Sequence, residues 1–285
     1  MSGIRKFVIG SSVVVLILGV IWINFDDPKS LGTTINFETG EIMQDSGSWS
    51  DNLSDLSDLF DQTSGPLLAL VSGGRLVHIR EGMRKEEIAE LFAGKLKWDD
   101  SQKLAFLSGP EGQYYPGTYS VSSAGDEEIM RELMLHRFDR EVEERLASST
   151  KNVISLDTIL KVASIIEREA GGKRDMRLIS GIIWNRVFKG MNLQIDATLQ
   201  YAKGDKDSGW WPKVLSEDKY IESPYNTYKY SGFPPTPIAN PGLSSIEAAL
   251  NPQKTKCLFY LHDKRRRIHC SETYQGHLKN IDRYY

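Results

Sequence analysis

Two glutamates, Glu167 and Glu169, lie near the end of the segment SLDTILKVASIIEREA, which spans residues 155–170. The segment predicts a helix, because Ser155 is a favourable N-cap and apolar residues recur after it at helical spacing. At about 100° per residue, Glu167 falls inside the apolar stripe centred on Ala163, whereas Glu169 falls outside it. We therefore predict that Glu169 is a solvated surface acid, and that Glu167 faces the apolar side of the helix or a cleft cut into it.

The position of Glu167 allows two interpretations. A buried acid is commonly paired with an arginine, or reaches solvent at the helix end, and then has only a structural role. Alternatively, removal from solvent disfavours the charged form of a carboxyl group, so that Glu167 stays protonated near neutral pH. A carboxylic acid kept in that form can act as a general acid. The helix alone does not decide between these interpretations.

Polar and aromatic residues elsewhere could contribute to the same site. The segment PEGQYYPGTY, residues 110–119, predicts a turn that enters a strand. It supplies an acid, Glu111, and rings such as Tyr115 that are suited to stacking on sugar faces. Gln194 and Asp196 lie two apart in an alternating stretch and therefore share one face. Asp196 has a structural alternative, since aspartate also caps helices well and a helix is predicted after it.

A proline-rich run, GFPPTPIANPGLSSIEAALNP, follows the segment SPYNTY. Its prolines fix an extended backbone of the kind that commonly lines a site. Ser244 or Ser245 is predicted to cap the helix that comes next.

The N-terminal part of the chain predicts a membrane anchor. Residues 7–25 contain no charge, and about 20 such residues span a bilayer as a helix. Arg5 and Lys6 precede them, so residues 1–6 are predicted to be a cytoplasmic tail and the rest to lie outside the cytoplasm. A cleaved signal peptide is the alternative, but its apolar core is normally shorter and a small-residue cleavage site is missing. We predict a single-pass protein of the cell (inner) membrane.

The composition is that of a globular protein with no nucleic-acid partner. The chain has 285 residues with a net charge of −3, and lacks the basic footprint of nucleic-acid binding. No metal or cofactor is predicted, because the histidines are scattered without zinc-ligand spacing and no phosphate-binding glycine loop occurs. Cys257 and Cys270 lie beyond the anchor, where disulfides are permitted. In a hairpin centred between Asp263 and Lys264 they would be directly opposite, so a bridge between them is a possibility.

The remaining pattern predicts an α+β fold. Residues 26–65 are rich in Ser, Asp, Gly and Thr and predict a linker. Residues 66–110 predict a strand, a Gly-Gly turn, a second strand, and helices over 83–96 and 98–107. This small β-α-α subdomain resembles a LysM module, which binds N-acetylglucosamine polymers; a generic packing unit is an equal alternative. Residues 111–285 predict a catalytic domain of mixed helices and strands.

Several motifs together resemble the YceG-like family, the endolytic murein transglycosylases. ASIIEREA, NRVFKGMNLQIDATLQYA, SPYNTY, GFPPTPIANPG and EAALNP occur in the family's order, and PEGQYYPGTY is similar to its Glu-Gly-x-x-x-Pro-x-Thr-Tyr element. The resemblance covers about residues 71–280. It implies cleavage of peptidoglycan glycan strands between N-acetylmuramic acid and N-acetylglucosamine, with formation of a 1,6-anhydro end. It also implies partners among the cell-wall synthases or division proteins.

The resemblance implies a role for individual residues. Glu167 matches the family's catalytic glutamate, and four further residues match positions that line the cleft: Gln194, Asp196, Tyr225 and Asn226. Two residues depart from the family's pattern. Gly117 replaces a common acidic residue and Ala197 a common proline, and neither is expected to touch Glu167.

Two other functions remain open from the sequence. One is a muramidase-type hydrolase, in which Asp196 would be a second catalytic carboxylate. The other is a non-catalytic membrane anchor that only binds glycan through the LysM-like subdomain.

Overall fold

The structure is a computed structural model that describes residues 34–35, 42–43, 75–121, 126–143 and 154–284. The chain divides into two compact units, Met1–Ser64 and Gly65–Tyr285. In the first unit, strands β1 (Thr34–Ile35) and β2 (Ile42–Met43) pair antiparallel within the predicted linker. The predicted tail and anchor, residues 1–25, lie outside the described residues. Among the helices that are described, none has the length and hydropathy needed to cross a bilayer.

The second unit begins with a β-α-α-β arrangement. Strand β3 (Arg75–Ile79) is followed by α1 (Lys85–Leu96), α2 (Asp100–Phe106) and strand β4 (Gly117–Val121). The two strands are antiparallel, and their register places Arg75 opposite Val121 and Ile79 opposite Gly117. Both predicted helices and the strand after the PEGQYYPGTY turn are confirmed. The strand predicted before the Gly-Gly turn lies outside the described residues.

A first hydrophobic cluster fills the space between this sheet and its helices. Its fully buried side chains include Ile79, Phe92, Phe106, Tyr114 and Met134. The cluster therefore continues across residue 110, after which a domain boundary was predicted. That boundary and the likeness to a LysM module both stay predictions.

Helix α3 (Glu127–Phe138) connects this cluster to a second one. It begins after Asp126, whose side chain accepts a hydrogen bond from the N–H of Glu128, and it continues into a π-helical turn over Asp139–Glu143. Met134 belongs to the first cluster, whereas Phe138, one turn later, belongs to the second.

The second cluster surrounds helix α4 (Leu156–Glu169), which begins where the sequence predicts. The Ser155 hydroxyl oxygen accepts a hydrogen bond from the N–H of Thr158 at 3.3 Å. Helices α5 (Met176–Phe188), α6 (Asp196–Lys203) and α7 (Leu243–Leu250) all pack against α4. Val162 and Ile165, which lie outside the predicted stripe, are 0 % exposed, so α4 is covered on more than one side. Helices and small antiparallel sheets occupy separate parts of the chain, and the fold is α+β.

The start predicted for α7 is wrong. Gly242 is the N-cap, and Ser244 and Ser245 lie inside the first turn. Because Gly242 already has the extended backbone that precedes a helix, neither serine is needed to cap it. This leaves the Ser245 hydroxyl free to bond elsewhere.

The C-terminal hairpin forms with a different register from the predicted one. Strands β5 (Phe259–His262) and β6 (Ile268–Ser271) pair so that Tyr260, not Cys257, lies opposite Cys270. The turn is longer than predicted, because the Asp263 carboxylate accepts the N–H groups of Arg265 and Arg267 and holds the intervening residues. Cys257 lies just before β5 and is joined to Cys270 by a disulfide. Helix α8 (Tyr274–Tyr284) packs against both strands.

Candidate active site

Glu167 is half-buried near the end of α4, and one of its oxygens is held by the start of α7. Oε2 accepts a hydrogen bond from the N–H of Gly242 at 3.0 Å and from the Ser245 hydroxyl at 2.7 Å. Both donors belong to the N-terminal end of a helix, where negative charge is stabilised by the helix dipole. The other oxygen, Oε1, accepts no hydrogen bond from any residue that the structure describes.

Glu167 lines a cavity of about 490 Å³, a volume typical of small-ligand sites. The other lining residues all come from the end of β3, the start of β4 and the residues next to them: His78, Ile79, Arg80, Glu81, Pro116 and Gly117. Strand pairing therefore forms one wall of the cavity, and α4 contributes the acid. Gly117, which departs from the family's pattern, lines the same cavity as Glu167.

The wall approaches Glu167 closely because Gly82 has no side chain. A Cβ at Gly82 would lie 3.3 Å from Cγ of Glu167, and the residue has a φ of +77°. This left-handed backbone favours glycine. The guanidinium of the next residue along α4, Arg168, donates to the carbonyl oxygen of Gly82 at 3.3 Å and stacks 3.6 Å from the Trp211 ring centroid. Arg168 thus fastens α4 to the turn that carries Glu81 and Gly82.

A second carboxylate, Glu81, lies beside Glu167 at the cavity. Burial of its carboxyl group, followed by the negative charge of Glu167, raises the pKa of Glu81, and the charge of Lys173 opposes this rise. The residue as a whole is exposed, so that only its carboxyl end is partly desolvated. Sequence reasoning missed Glu81, because the EGM turn carries no pattern that separates it from an ordinary surface acid.

The loop before α7 is fixed by a buried asparagine, Asn240. Its Nδ2 donates to Glu111 Oε1 at 2.7 Å and to the carbonyl oxygen of Met83 at 3.0 Å. Its Oδ1 accepts the N–H groups of Gly112 and Tyr114, each at 2.9 Å. Asn240 is 0 % exposed, so all of these bonds are shielded from water. They hold the backbone that places the Gly242 N–H against Glu167.

Glu111 belongs to this hydrogen-bonded network around Asn240, the framework of the site, and does not line the cavity. Its carboxylate also accepts from the N–H of Lys85 at 3.2 Å and from the Tyr201 hydroxyl at 3.5 Å. Burial, followed by the negative charge of Glu86, raises the pKa of Glu111 to about 8. Because its oxygens are occupied inside the protein, this placement argues against the predicted substrate contact.

The side chain of Asn226 is also bonded within the protein. It is 0 % exposed, and its Nδ2 donates to the carbonyl oxygens of Lys219 and Ile221. Its Oδ1 accepts the N–H groups of Tyr228 and Lys229. No polar atom of Asn226 is left to reach a sugar, so its predicted place in the cleft lining is not supported.

Tyr225 and Tyr115 are half-buried and keep part of each ring accessible. The Tyr225 hydroxyl bonds to Thr236 at 2.8 Å, and its ring lies 4.7 Å from that of Tyr201. Tyr115 packs against the second cluster, with the Arg137 guanidinium 5.5 Å from its ring centroid. Tyr115 directly precedes the cavity residues Pro116 and Gly117, which keeps the prediction of a sugar contact open for it.

Gln194 and Asp196 are both exposed. Neither is among the residues that line the cavity with Glu167. Asp196 is not the N-cap of α6, because Ile195 holds that position. Instead, Asp196 Oδ1 accepts a hydrogen bond from the Tyr228 hydroxyl at 2.6 Å.

The prediction that Glu169 is a solvated surface acid is wrong. Its Oε2 accepts a hydrogen bond from the Tyr260 hydroxyl on β5 at 2.7 Å. Burial raises the pKa of Glu169, the Tyr260 bond opposes this rise, and the charge of Asp196 adds to it. The C-terminal hairpin covers this side of α4, which the helical wheel alone could not show.

Comparison with known proteins identifies the family to which the chain is similar. The model of the YceG-like family matches residues 53–283. An endolytic murein transglycosylase of Bacillus subtilis strain 168 is 38 % identical over 176 residues, which are 61 % of this chain and 48 % of that protein. The protein of the same description from Streptococcus pneumoniae D39 is 28 % identical over 60 % of this chain and 31 % of its own length. This chain thus spans about half or less of these relatives.

A solved structure shows the same fold. A YceG-like protein from Listeria monocytogenes superposes with a TM-score of 0.61 and 32 % identity, over 72 % of this chain and 75 % of that one. Since the family match covers most of the sequence, including every element from β3 to β6, the chain belongs to the YceG-like family.

Proposed function

We propose that this protein is an endolytic transglycosylase that cleaves peptidoglycan glycan strands between N-acetylmuramic acid and N-acetylglucosamine. The observation that carries the proposal is the asymmetric setting of Glu167 at the cavity wall. Its Oε2 accepts two hydrogen bonds, whereas its Oε1 accepts none from the described residues. The names of the relatives, endolytic murein transglycosylases, support the reaction class.

The two donors to Oε2 determine which oxygen carries the reactive proton. The Gly242 N–H and the Ser245 hydroxyl both donate to Oε2, so a proton on that oxygen would compete with them. A proton on Oε1 competes with neither. In the acid form of Glu167 the proton is therefore on Oε1, where a glycosidic oxygen in the cavity can receive it.

A single carboxyl group is sufficient for the proposed reaction. Oε1 of Glu167 gives its proton to the bridging oxygen, and the bond from that oxygen to C1 of the muramyl residue breaks. The N-acetylglucosamine leaves with a new hydroxyl group. The muramyl C6 hydroxyl gives its proton to the Glu167 carboxylate, and its oxygen bonds to C1, closing the 1,6-anhydro ring. Because the nucleophile is part of the substrate, the attack is intramolecular, water is not consumed, and Glu167 ends protonated.

The Oε2 donors also act in the middle of the reaction. After the first proton transfer Glu167 is a carboxylate, and charge-assisted hydrogen bonds to a carboxylate are stronger than those to a neutral acid. The Gly242 N–H and the Ser245 hydroxyl then stabilise the charge that appears on the acid.

The muramidase alternative requires a second carboxylate that activates water. Asp196, the predicted candidate for that role, bonds to Tyr228 and does not line the cavity with Glu167. Glu81 does line the cavity and is the carboxylate that this alternative would use. The non-catalytic alternative requires no acid in the cavity at all. Both alternatives give outcomes that a single assay separates.

The assay incubates the full-length chain, purified in detergent, with un-crosslinked glycan strands and measures product masses. Transglycosylation gives ends one water lighter than reducing ends, whereas hydrolysis gives reducing ends. Glu167→Gln should abolish cleavage, and Glu247→Gln, which changes an exposed acid on α7, should not. Reducing ends would favour the muramidase, and intact strands with the wild-type chain would favour a glycan-binding protein.

We further propose that residues 7–25 hold the protein in the cell membrane, with the second unit outside the cytoplasm. The uncharged segment and the preceding Arg5 and Lys6 support this arrangement. Beside the membrane the enzyme would meet newly made strands, so that its cleavage ends their elongation near cell-wall synthases or division proteins. The β-α-α-β arrangement is compatible with a LysM-like contribution to glycan binding. Protease accessibility of Lys256 and Lys279 in intact cells, compared with lysed cells, tests the orientation.

A further inference from the structure

The C-terminal hairpin is fixed against the loop that follows α4. The carboxylate of Asp175 at the end of this loop bonds to His262 Nε2 on β5 at 2.7 Å. It also accepts the N–H groups of Gly171 at 3.0 Å and Gly172 at 3.2 Å. A Cβ at Gly171 would lie 2.9 Å from the carbonyl oxygen of Arg266, so the missing side chain lets the hairpin turn approach the loop. The loop and the turn therefore form one continuous surface.

Five exposed cationic side chains lie on this surface, and we call them the basic rim. They are Lys173 and Arg174 on the loop, and Lys264, Arg265 and Arg266 in the hairpin turn. In the part of the chain that the structure describes, none of the five side chains takes part in a salt bridge or donates a hydrogen bond. The chain as a whole has a net charge of −3, so the rim is a local concentration of positive charge.

The acids that flank the rim in the chain are bonded to other groups. Asp263 bonds to the guanidinium of Arg267 at 2.8 Å and to His269 Nε2 at 3.1 Å. The side chain of Asp175 is only 8 % exposed and holds the loop and β5 together. Glu169, at the end of α4, bonds to a tyrosine of the hairpin. None of these three carboxylates pairs with a side chain of the rim, so its cations remain available to an anionic ligand.

The rim lies beside the cavity that contains Glu167. Gly171, where the hairpin turn touches the loop, follows Glu167 by only four residues. Burial and then the charge of Glu167 raise the pKa of the cavity residue Glu81, and the charge of Lys173 lowers it, as expected if Lys173 is close to the cavity. A further cation, Arg80, lines the cavity itself. Substituents of a glycan strand bound at Glu167 would therefore be within reach of the rim.

The charge of the substrate indicates what the rim would bind. The N-acetylated sugars of a glycan strand are uncharged, whereas the stem peptides on its muramyl residues carry carboxylates. Ammonium and guanidinium groups form charge-assisted hydrogen bonds with carboxylates. A row of five cations beside a cavity suits a ligand that presents several carboxylates in succession, and a strand with a peptide on each muramyl residue is such a ligand.

We propose that the basic rim binds the carboxylates of stem peptides, so that the protein selects glycan strands whose muramyl residues carry peptides. This inference rests on the proposed function, which identifies the strand as the ligand. Glu167 acts on the glycosidic bond, and the rim holds the peptides beside it. The rim therefore determines the affinity for the substrate and takes no part in the cleavage of the bond.

The test measures binding without turnover. The full-length Glu167→Gln protein, in neutral detergent without lipid, is titrated with two fluorescently labelled glycan strands. One is un-crosslinked and carries its stem peptides, and the other is the same strand after an amidase has removed them, which leaves only the lactyl carboxylate next to each muramyl ring. The rim variant adds three substitutions to the same protein: Arg174→Gln, Lys264→Gln and Arg265→Gln.

The rim variant should bind the peptide-bearing strand about tenfold more weakly, because it loses three exposed ion pairs that each contribute a small amount. Its Kd for the stripped strand should stay close to that of the parent. Added salt should weaken binding of the peptide-bearing strand more in the parent than in the rim variant, since exposed charges are screened. Arg174→Gln alone should show a smaller loss of the same kind.

A matched control removes three cations that lie outside the rim. Lys95→Gln, Lys97→Gln and Lys189→Gln together change the net charge by the same amount, at exposed residues near the ends of α1 and α5. This control should bind both strands as the parent does. Thermal unfolding of each variant identifies any loss of folding. Because the assay contains no lipid, a loss specific to the peptide-bearing strand cannot come from binding of the rim to an anionic membrane.

The outcomes separate this inference from the proposed function. Unchanged binding in the rim variant would overturn the role of the rim, and so would an equal loss of affinity for both strands. The proposed function would still stand in either case if the wild-type chain forms anhydro ends. A wild-type chain that releases no anhydro ends would overturn the proposed function, whereas the preference for peptide-bearing strands is measured without any cleavage.

Discussion

Glu167 and Glu169 lie two residues apart on one helix, yet their surroundings differ completely. Glu167 bonds to the start of α7 and lines a cavity, with one oxygen left without a donor among the described residues. Glu169 bonds to Tyr260 under the C-terminal hairpin, where burial raises its pKa. Each residue as a whole is half-buried, so the exposed fraction of the residue does not distinguish the two acids. What distinguishes them is whether the structure leaves an oxygen available to a substrate.

The largest expected effect is a difference in activity between the variants of the two acids. Glu167→Gln removes the general acid and should lower kcat by about 10²- to 10⁴-fold, with little change in stability. Glu169→Gln keeps an acceptor for the Tyr260 hydroxyl and should retain most of the activity. Initial rates on un-crosslinked glycan check both variants. Equal losses of kcat would mean that the two sides of α4 do not differ in function.

Glu111 extends the comparison to a buried acid of the framework. Its pKa in the folded protein is about 8, against an ordinary value of 4.5. A raised carboxyl pKa gives stability that is fully present below the ordinary value and is lost as pH rises through the folded one. The wild-type free energy of unfolding should therefore fall by on the order of 4 kcal/mol between about pH 4.5 and 8.

Glu111→Gln should remove most of this slope, because the amide oxygen can still accept from Asn240 and Lys85 while no charge is buried. Urea unfolding at several pH values across the same pH range measures how the free energy of unfolding depends on pH. Glu247→Gln is the matched control and should keep the wild-type slope. If the free energy of unfolding still falls with pH in Glu111→Gln, another titrating group causes the fall.

Removal of the disulfide tests the side of α4 that the C-terminal hairpin covers. Replacing Cys257 and Cys270 by serine opens a loop whose ends are 13 residues apart, which in the chain-entropy account costs about 3 kcal/mol of stability. Activity at moderate temperature should be retained, because the hairpin contacts Glu169 and does not line the cavity. Denaturant unfolding and initial rates measure the two effects. A loss of activity without a loss of stability would connect the hairpin to catalysis.

Ser245→Ala is expected to have the smallest effect and sharpens the comparison on the Glu167 side. It removes one of two donors to Oε2, so kcat should fall by about tenfold or less. Initial rates on un-crosslinked glycan measure this loss, with Glu247→Gln as the control. A loss as large as that in Glu167→Gln would contradict the supporting role of the Ser245 hydroxyl.

Local signals in the sequence predicted the elements well. The Ser155 cap and the spacing of apolar residues in α4 act within a few residues, and this helix forms as expected. The predicted register of the hairpin was wrong because hydrogen bonds to the Asp263 side chain stabilise a longer turn. Apolar pattern alone does not specify such turn bonds.

The site was predicted only in part, because its contacts join distant segments. Glu167 was identified from its motif, but its donors come from residues 75 and 78 positions further along the chain. Ser245 was interpreted as a cap, and Glu81 had no local signal. The family resemblance implies that Asn226 lines the cleft, and the PEGQYYPGTY segment suggests a substrate contact for Glu111, whereas the bonds of both side chains are to the protein itself.

The central claim is that Glu167 catalyses intramolecular ring closure without water as the nucleophile. Its most direct test is digestion of un-crosslinked glycan by the wild-type chain in water enriched with oxygen-18, followed by mass analysis of the new ends. The account predicts ends that are one water lighter than reducing ends and carry no label. Reducing ends that each carry one oxygen-18 atom would contradict it.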